Sequence, residues 1–183
     1  MVSIFFFLLA IAAVWAAIKY TVGLRAYGYS GLGDLFVFLF FGWVSVIGAY
    51  YLQSKTIDST ALFLGTAIGL MSVGVLNLNN MRDIDNDKNS KKHTLAVLMG
   101  SQKAKRYHYF LIIVSGVFLY LGIGSSWVMK HPFSLLILFP LLFHLYQVNK
   151  IKEPKGFDPL LKSLALSTFS ISLVLFVIFS IFK

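Results

Sequence analysis

Six apolar runs, each close to the length of a helix that crosses a bilayer, constrain this chain more than any other feature. They occupy residues 2–18, 35–52, 61–78, 110–129, 132–148 and 164–182, against the roughly 20 residues a membrane-spanning helix needs. With 58% of its residues hydrophobic and 13% charged, the chain is far more apolar than a soluble domain. The expected fold is therefore all-α: a polytopic membrane helical bundle in which the backbone satisfies its own hydrogen bonds. The first run lacks a basic leader and is followed by Lys19 and Arg25, which argues against a signal peptide. Cysteine is absent, so no disulfide framework and no thiol chemistry enters.

Charge orients the bundle. Thirteen of the 16 basic residues fall in the loops and span ends at 19–34, 79–107 and 149–162, and only Lys55, Lys130 and Lys183 lie opposite. Cytoplasmic loops of membrane proteins carry such an excess, so all three loops are predicted to be cytoplasmic, in an inner-membrane protein with both termini outside. The net charge of +9 is read as a topology signal, since its bases are divided among membrane loops rather than gathered for a nucleic acid.

The polar stretch from Asn77 to Gly100 needs a separate explanation. Asp83 and Asp87 stand four apart, on one face of a helix, while Asp85 points away. Two like charges at that spacing call for a compensating cation, and hard carboxylate oxygens suit Mg2+ carried with a phosphate, whose remaining charge Lys88, Lys91 and Lys92 would hold. Three plainer readings stand beside this one. The stretch is a solvated loop obeying the positive-inside tendency; its lysines form an anionic-lipid patch; or it is a calcium loop of the EF-hand kind. The last fails, because the sixth position is Lys88 where glycine is required and the twelfth is Thr94 where a bidentate glutamate is required.

The stretch "NNMRDIDNDKNSKKHTLAVLMG" resembles the second aspartate motif of the UbiA superfamily of membrane prenyltransferases, in the form found in 1,4-dihydroxy-2-naphthoate polyprenyltransferases. "YTVGLRAYGYSGLGDLFVFLFFG", residues 20–42, resembles their tyrosine- and glycine-rich loop, and "FDPLLKSLALST", residues 157–168, their last loop and span. The resemblance implies a bundle of nine helices, of which this chain matches the fourth to ninth as a single domain over 1–183, without the front three helices or the first aspartate motif. It implies Mg2+-dependent transfer of a polyprenyl group from polyprenyl diphosphate to 1,4-dihydroxy-2-naphthoate, giving demethylmenaquinone. By position, Asp83 and Asp87 match the catalytic metal ligands, Asn80, Arg82 and Lys92 the diphosphate-binding residues, and Tyr20 and Arg25 further diphosphate-side positions. With one motif of two, this chain is expected to be inactive alone. The alternative is a non-catalytic integral membrane protein, transporter-like or lipid-binding. Lys91 stands where the family carries glycine, and Leu98 where it carries arginine.

Other polar residues have two readings each. His144, inside the fifth run, is either a functional group at membrane depth or a neutral histidine bonded to a neighbouring helix. The glycines at 23, 28, 31 and 33 either let backbone approach a phosphate or serve as turn residues. Pro140 reads as a kink and Pro132 as a first-turn residue.

Overall fold

The computed structural model describes residues 2–23 and 26–181. Arg25 and Lys183, both used in the charge argument, lie outside the described residues. Among the described residues nine helices follow in order: α1 (Val2–Thr21), α2 (Gly33–Ser54), α3 (Ser59–Arg82), α4 (Ile84–Asn89), α5 (Leu95–Met99), α6 (Ser101–Ile123), α7 (Ser125–Lys130), α8 (Phe139–Lys150) and α9 (Asp158–Ile181). Short 3₁₀ turns at Tyr27–Tyr29, Pro132–Leu138 and Pro154–Phe157 join them. The chain is an integral membrane protein. Among the described residues five helical stretches are long and apolar enough to cross a bilayer, and the first run contributes a shorter apolar helix over Ile4–Tyr20.

Two span boundaries differ from the sequence expectation. The fourth run was placed at 110–129, but its helix begins at Ser101 and ends at Ile123. Gly100 (φ +77°) and Gly124 (φ +89°) take conformations that only glycine adopts cheaply, so the breaks fall there. Lys103, Lys105 and Arg106 therefore ride on the first turns of α6 instead of in the preceding loop. The last helix likewise starts at Asp158, six residues before its apolar run.

α3 is the central helix, packed by α2, α6 and α9. Its start is well specified: Asp58 Oδ1 accepts from the Ala61 amide at 2.8 Å and Oδ2 accepts from the Tyr50 hydroxyl at 2.7 Å. The Ala61 amide, and then Tyr50, hold the Asp58 carboxyl below the usual carboxylate range. Inside a membrane, helices associate through close packing of small residues, since lipid removes most of the hydrophobic drive. That is what α3 does. A Cβ on Gly42 of α2 would fall 2.7 Å from the Gly65 carbonyl oxygen and 2.8 Å from Gly69 Cα, so the two backbones cross in contact. Across this crossing, Phe38–Ile47 of α2 winds as a π-helix. On the other side of α3, Gly74 faces Ile112 of α6, Leu164 of α9 and the His108 ring.

His108 and His144 are both fully buried and meet Nε2 to Nε2 at 2.9 Å, joining α6 to α8. His144 thus has the neighbouring-helix partner that its plainer reading requires. In a neutral pair one ring donates through Nε2 and the other accepts, so the tautomers are opposite.

Candidate active site

The aspartate stretch begins where α3 ends. Asp83 leaves the helix with φ −97° and ψ 12°, and α4 starts at once. The Asp87 amide donates to the Asp83 carbonyl at 2.8 Å, so a single helical turn links the two residues, as their spacing predicts. Their environments then diverge. Asp83 is partly exposed, whereas Asp87 is 4% exposed.

Each carboxylate has its own cation. The Arg82 guanidinium forks onto Asp83, Nε to Oδ1 at 2.9 Å and a terminal nitrogen to Oδ2 at 2.7 Å. It also donates to Asn79 Oδ1 and to Asp158 Oδ1, both at 2.7 Å. Lys92 Nζ lies 3.0 Å from Asp87 Oδ1 and 4.9 Å from the centre of the Tyr29 ring. The hydrogen-bonded Arg82, with a smaller contribution from the charge of Lys92, lowers the Asp83 pKa. Lys92 is raised, chiefly by its bond to Asp87, with Tyr29 and Asp83 adding to it. Lys92 thus interacts with both carboxylates.

Local geometry fixes this arrangement. The Lys92 amide donates to the Asp87 carbonyl at 2.9 Å, and the His93 amide donates to the Tyr29 carbonyl at 2.8 Å, stitching the aspartate loop to the glycine loop. Lys91, just before them, has φ +56°, so the turn expected of a glycine at this position is made here by a lysine in the left-handed region. Thr94 Oγ1 then caps α5, accepting from the Val97 amide.

The other expected residues are placed as follows. Asn80 is buried on the last turns of α3. Tyr20 lies beneath the glycine loop: a Cβ on Gly28 would meet the Tyr20 carbonyl oxygen at 2.6 Å and its ring at 2.9 Å. Gly28 is thus explained by packing on Tyr20, while Gly23 (φ +112°) and Gly31 (φ +76°) make turns in the left-handed region, and Tyr29 is the tyrosine brought to Lys92. Asp85, expected to point away, lines an outer recess with Arg82, Asp83, Asn86, Glu153 and Lys155.

Sequence reasoning missed three groups. Asp158 reaches Arg82 from the last helix. Asp34, 7% exposed, keeps one carboxylate oxygen unpartnered among the described residues, and the Tyr107 hydroxyl stands beside it. Asn77 is fully buried with neither end of its amide partnered among the described residues. Aspartate at the start of an apolar run was the signal for Asp34; the spacing of three between Asn77 and Asn80 was the signal for Asn77.

Two spaces are lined by the two ends of the Asn79–Arg82 bond. The outer polar recess has a volume of about 670 Å³. An apolar cavity of about 460 Å³ runs between α2, α3 and α9, with Val37, Phe41, Leu76 and Leu161 in its walls and Asn79 at its polar edge. Asn79 accepts from Arg82, so the two spaces share this hydrogen-bonded pair as their boundary. A larger groove between α1 and α2, lined by Phe5, Phe6 and Trp43, contains none of the charged groups.

The donors fit magnesium brought by a phosphate better than a resident ion. Among the described residues no three carboxylates or histidines converge on one point. Two carboxylates with positive charge beside each match the way magnesium takes one or two protein ligands and fills the rest with water and substrate oxygens.

A sequence model of the "UbiA prenyltransferase family" matches residues 1–171. The chain is 39% identical over 175 residues to a Haemophilus influenzae protein named 1,4-dihydroxy-2-naphthoate octaprenyltransferase, covering 94% of this chain and 55% of that protein. It is 48% identical over 110 residues to the Escherichia coli protein of the same name, covering 60% of this chain and 36% of that one. A Dictyostelium discoideum protein named UbiA prenyltransferase domain-containing protein 1 is 35% identical over 153 residues, 83% of this chain and 45% of the relative. The matches thus span about half or less of these relatives' length. No solved structure matches the chain.

Proposed function

The chain belongs to the UbiA prenyltransferase family, and from that membership we propose that it binds a polyprenyl diphosphate with magnesium and serves prenyl transfer to 1,4-dihydroxy-2-naphthoate in menaquinone synthesis. One observation carries the reading: a polar recess bearing Asp83 and Arg82 adjoins an apolar cavity, with Asn79 and Arg82 at the boundary. An amphiphile with a diphosphate head and a hydrocarbon tail needs such a pair of spaces.

In this reading Asp83 and Asp87 hold magnesium, which neutralises charge gathering on the departing diphosphate. Arg82 holds the Asp83 carboxylate in a fixed geometry through its fork, so that group is pre-oriented before ligand arrives. Lys92, bonded to Asp87 and backed by Tyr29, supplies positive charge to the diphosphate side. Asn80 and Tyr20 support the two loops. The walls at Val37, Phe41 and Leu76 take the prenyl chain and exclude water from a cationic carbon.

The loops at 19–34, 79–107 and 149–162 face the cytoplasm of an inner membrane, which external thiol labelling of a Ser90→Cys variant would contradict.

The test of the two-space reading uses farnesyl diphosphate and inorganic pyrophosphate as paired probes in detergent micelles. Leu76→Trp, which fills the apolar cavity, is expected to weaken farnesyl diphosphate binding while leaving magnesium pyrophosphate binding intact. Equal loss of both probes, or of neither, would refute the assignment of the tail to this cavity.

A further inference from the structure

Arg82 is tied to more than its own motif. Its Nε edge forks onto Asp83, and its opposite edge donates to Asp158 at 2.7 Å, from a residue 76 positions away. Asp158 is presented stiffly. The residue before it, Phe157, is buried, and Pro159 after it lies in the first turn of α9, where the ring restricts the backbone. Glu153 and Lys155, on the same segment, line the recess that holds Asp83.

A guanidinium is planar and presents donors on both edges. The Asp83 fork and the Asn79 bond take one edge, from residues within one turn of each other, and Asp158 is the partner of the other edge. An anchor on a helix start gives the pair a fixed reference. The Arg82–Asp158 bond is largely exposed on the aspartate side, where an ion pair adds little to stability. Its contribution is therefore one of geometry.

We propose that Asp158 is a positioning residue that holds Arg82, and through it Asp83, in the orientation that receives magnesium diphosphate. The segment before the last helix thereby becomes part of the diphosphate site. This inference rests on the reading of Asp83 as a ligand of that site, and its test separates the two.

The experiment compares the full chain with Asp158→Asn and Asp158→Glu in micelles. The first readout is the Arg82 Nε–H resonance in 15N NMR, assigned by its loss in Arg82→Lys. It is expected to be protected from exchange in the wild type and in Asp158→Glu, and exposed to rapid exchange in Asp158→Asn. The second is magnesium pyrophosphate binding by calorimetry. Asp158→Asn is expected to weaken it about five-fold, the scale of one charge-assisted bond at a mostly exposed site, with no further loss when Arg82 is already lysine. An unchanged Arg82 resonance in Asp158→Asn, or an equal five-fold loss in the Arg82→Lys background, would overturn the proposal. Should the wild type bind no pyrophosphate, the ligand-site reading fails, and the resonance alone decides whether Asp158 orders Arg82.

Discussion

Gly42→Ala should destabilise the bundle while Gly48→Ala, six residues along the same helix, should not. The added methyl at Gly42 would sit 2.7 Å from the Gly65 carbonyl oxygen, 2.8 Å from Gly69 Cα and 3.2 Å from Gly69 N, all backbone atoms that cannot rotate away. Carbon atoms rest about 3.5–4.0 Å apart, so α2 and α3 must separate by about 1 Å, and a gap of that size forfeits a quarter to a half of each dispersion contact it opens. Overpacking of this kind costs about 1–3 kcal/mol. Because every clash is with backbone, the upper part of that range, about 2–3 kcal/mol, applies; replacing a mid-helix glycine by alanine returns roughly 1 kcal/mol of helix propensity, leaving a net loss of about 1–2 kcal/mol. At Gly48 the methyl meets only the Phe6 ring edge at 3.6 Å, so propensity alone acts and that variant should match or exceed the wild type. Unfolding in detergent, followed by tryptophan fluorescence, reads both, because Trp43 bonds Thr66 across the same crossing at 3.1 Å. Equal stability of Gly42→Ala and wild type would refute the close crossing and with it the cavity wall that α2 provides.

Three further outcomes are expected. His108→Ala strands a buried His144 nitrogen and should cost about 3 kcal/mol of unfolding free energy, whereas removing both partners as His108→Leu with His144→Leu should cost less than either single change; a strictly additive pair would contradict the bond. Lys91→Gly should raise stability by about 1 kcal/mol in thermal melts, because the left-handed turn no longer carries a side chain, unless the loop depends on the lysine's charge, in which case stability falls and the strain argument is wrong. The depressed Asp83 pKa makes the Arg82–Asp83 pair stabilising above the ordinary aspartate value, with the contribution lost as pH falls through the lower folded value. Acid melts of wild type and Arg82→Gln should therefore converge below about pH 4, and a gap that stays constant to low pH would exclude that ion pair as its source.

The membrane bundle was legible because bilayer thickness imposes a length that a sequence cannot disguise, and the motif was legible because its aspartates keep helical spacing. Span edges were less so. Apolar content placed the fourth helix nine residues late, since Ser101 to Tyr109 is polar enough to read as loop, yet Gly100 sets the break by its backbone conformation. Lys91 stands where glycine was expected; the turn is made regardless, held by the Lys92 and His93 amides that follow it. Asp158 was invisible because its meaning depends on a contact 76 positions distant, and no local pattern encodes that. From sequence Tyr20 was named and Tyr29 was not; Tyr20 lies in the last turn of α1, and only the fold shows that the Tyr29 ring faces Lys92.

The account stands most directly on magnesium-dependent binding of pyrophosphate to the purified chain, compared among wild type, Asp87→Asn and Asp85→Asn. If Asp83 and Asp87 are the ligands, Asp87→Asn should weaken binding at least about ten-fold, while Asp85→Asn, which shares the recess with Asp83 without being a ligand, should change it less than about two-fold. Binding that is independent of magnesium, or that is unchanged or strengthened in Asp87→Asn, would show a diffuse basic surface in place of a metal-diphosphate site.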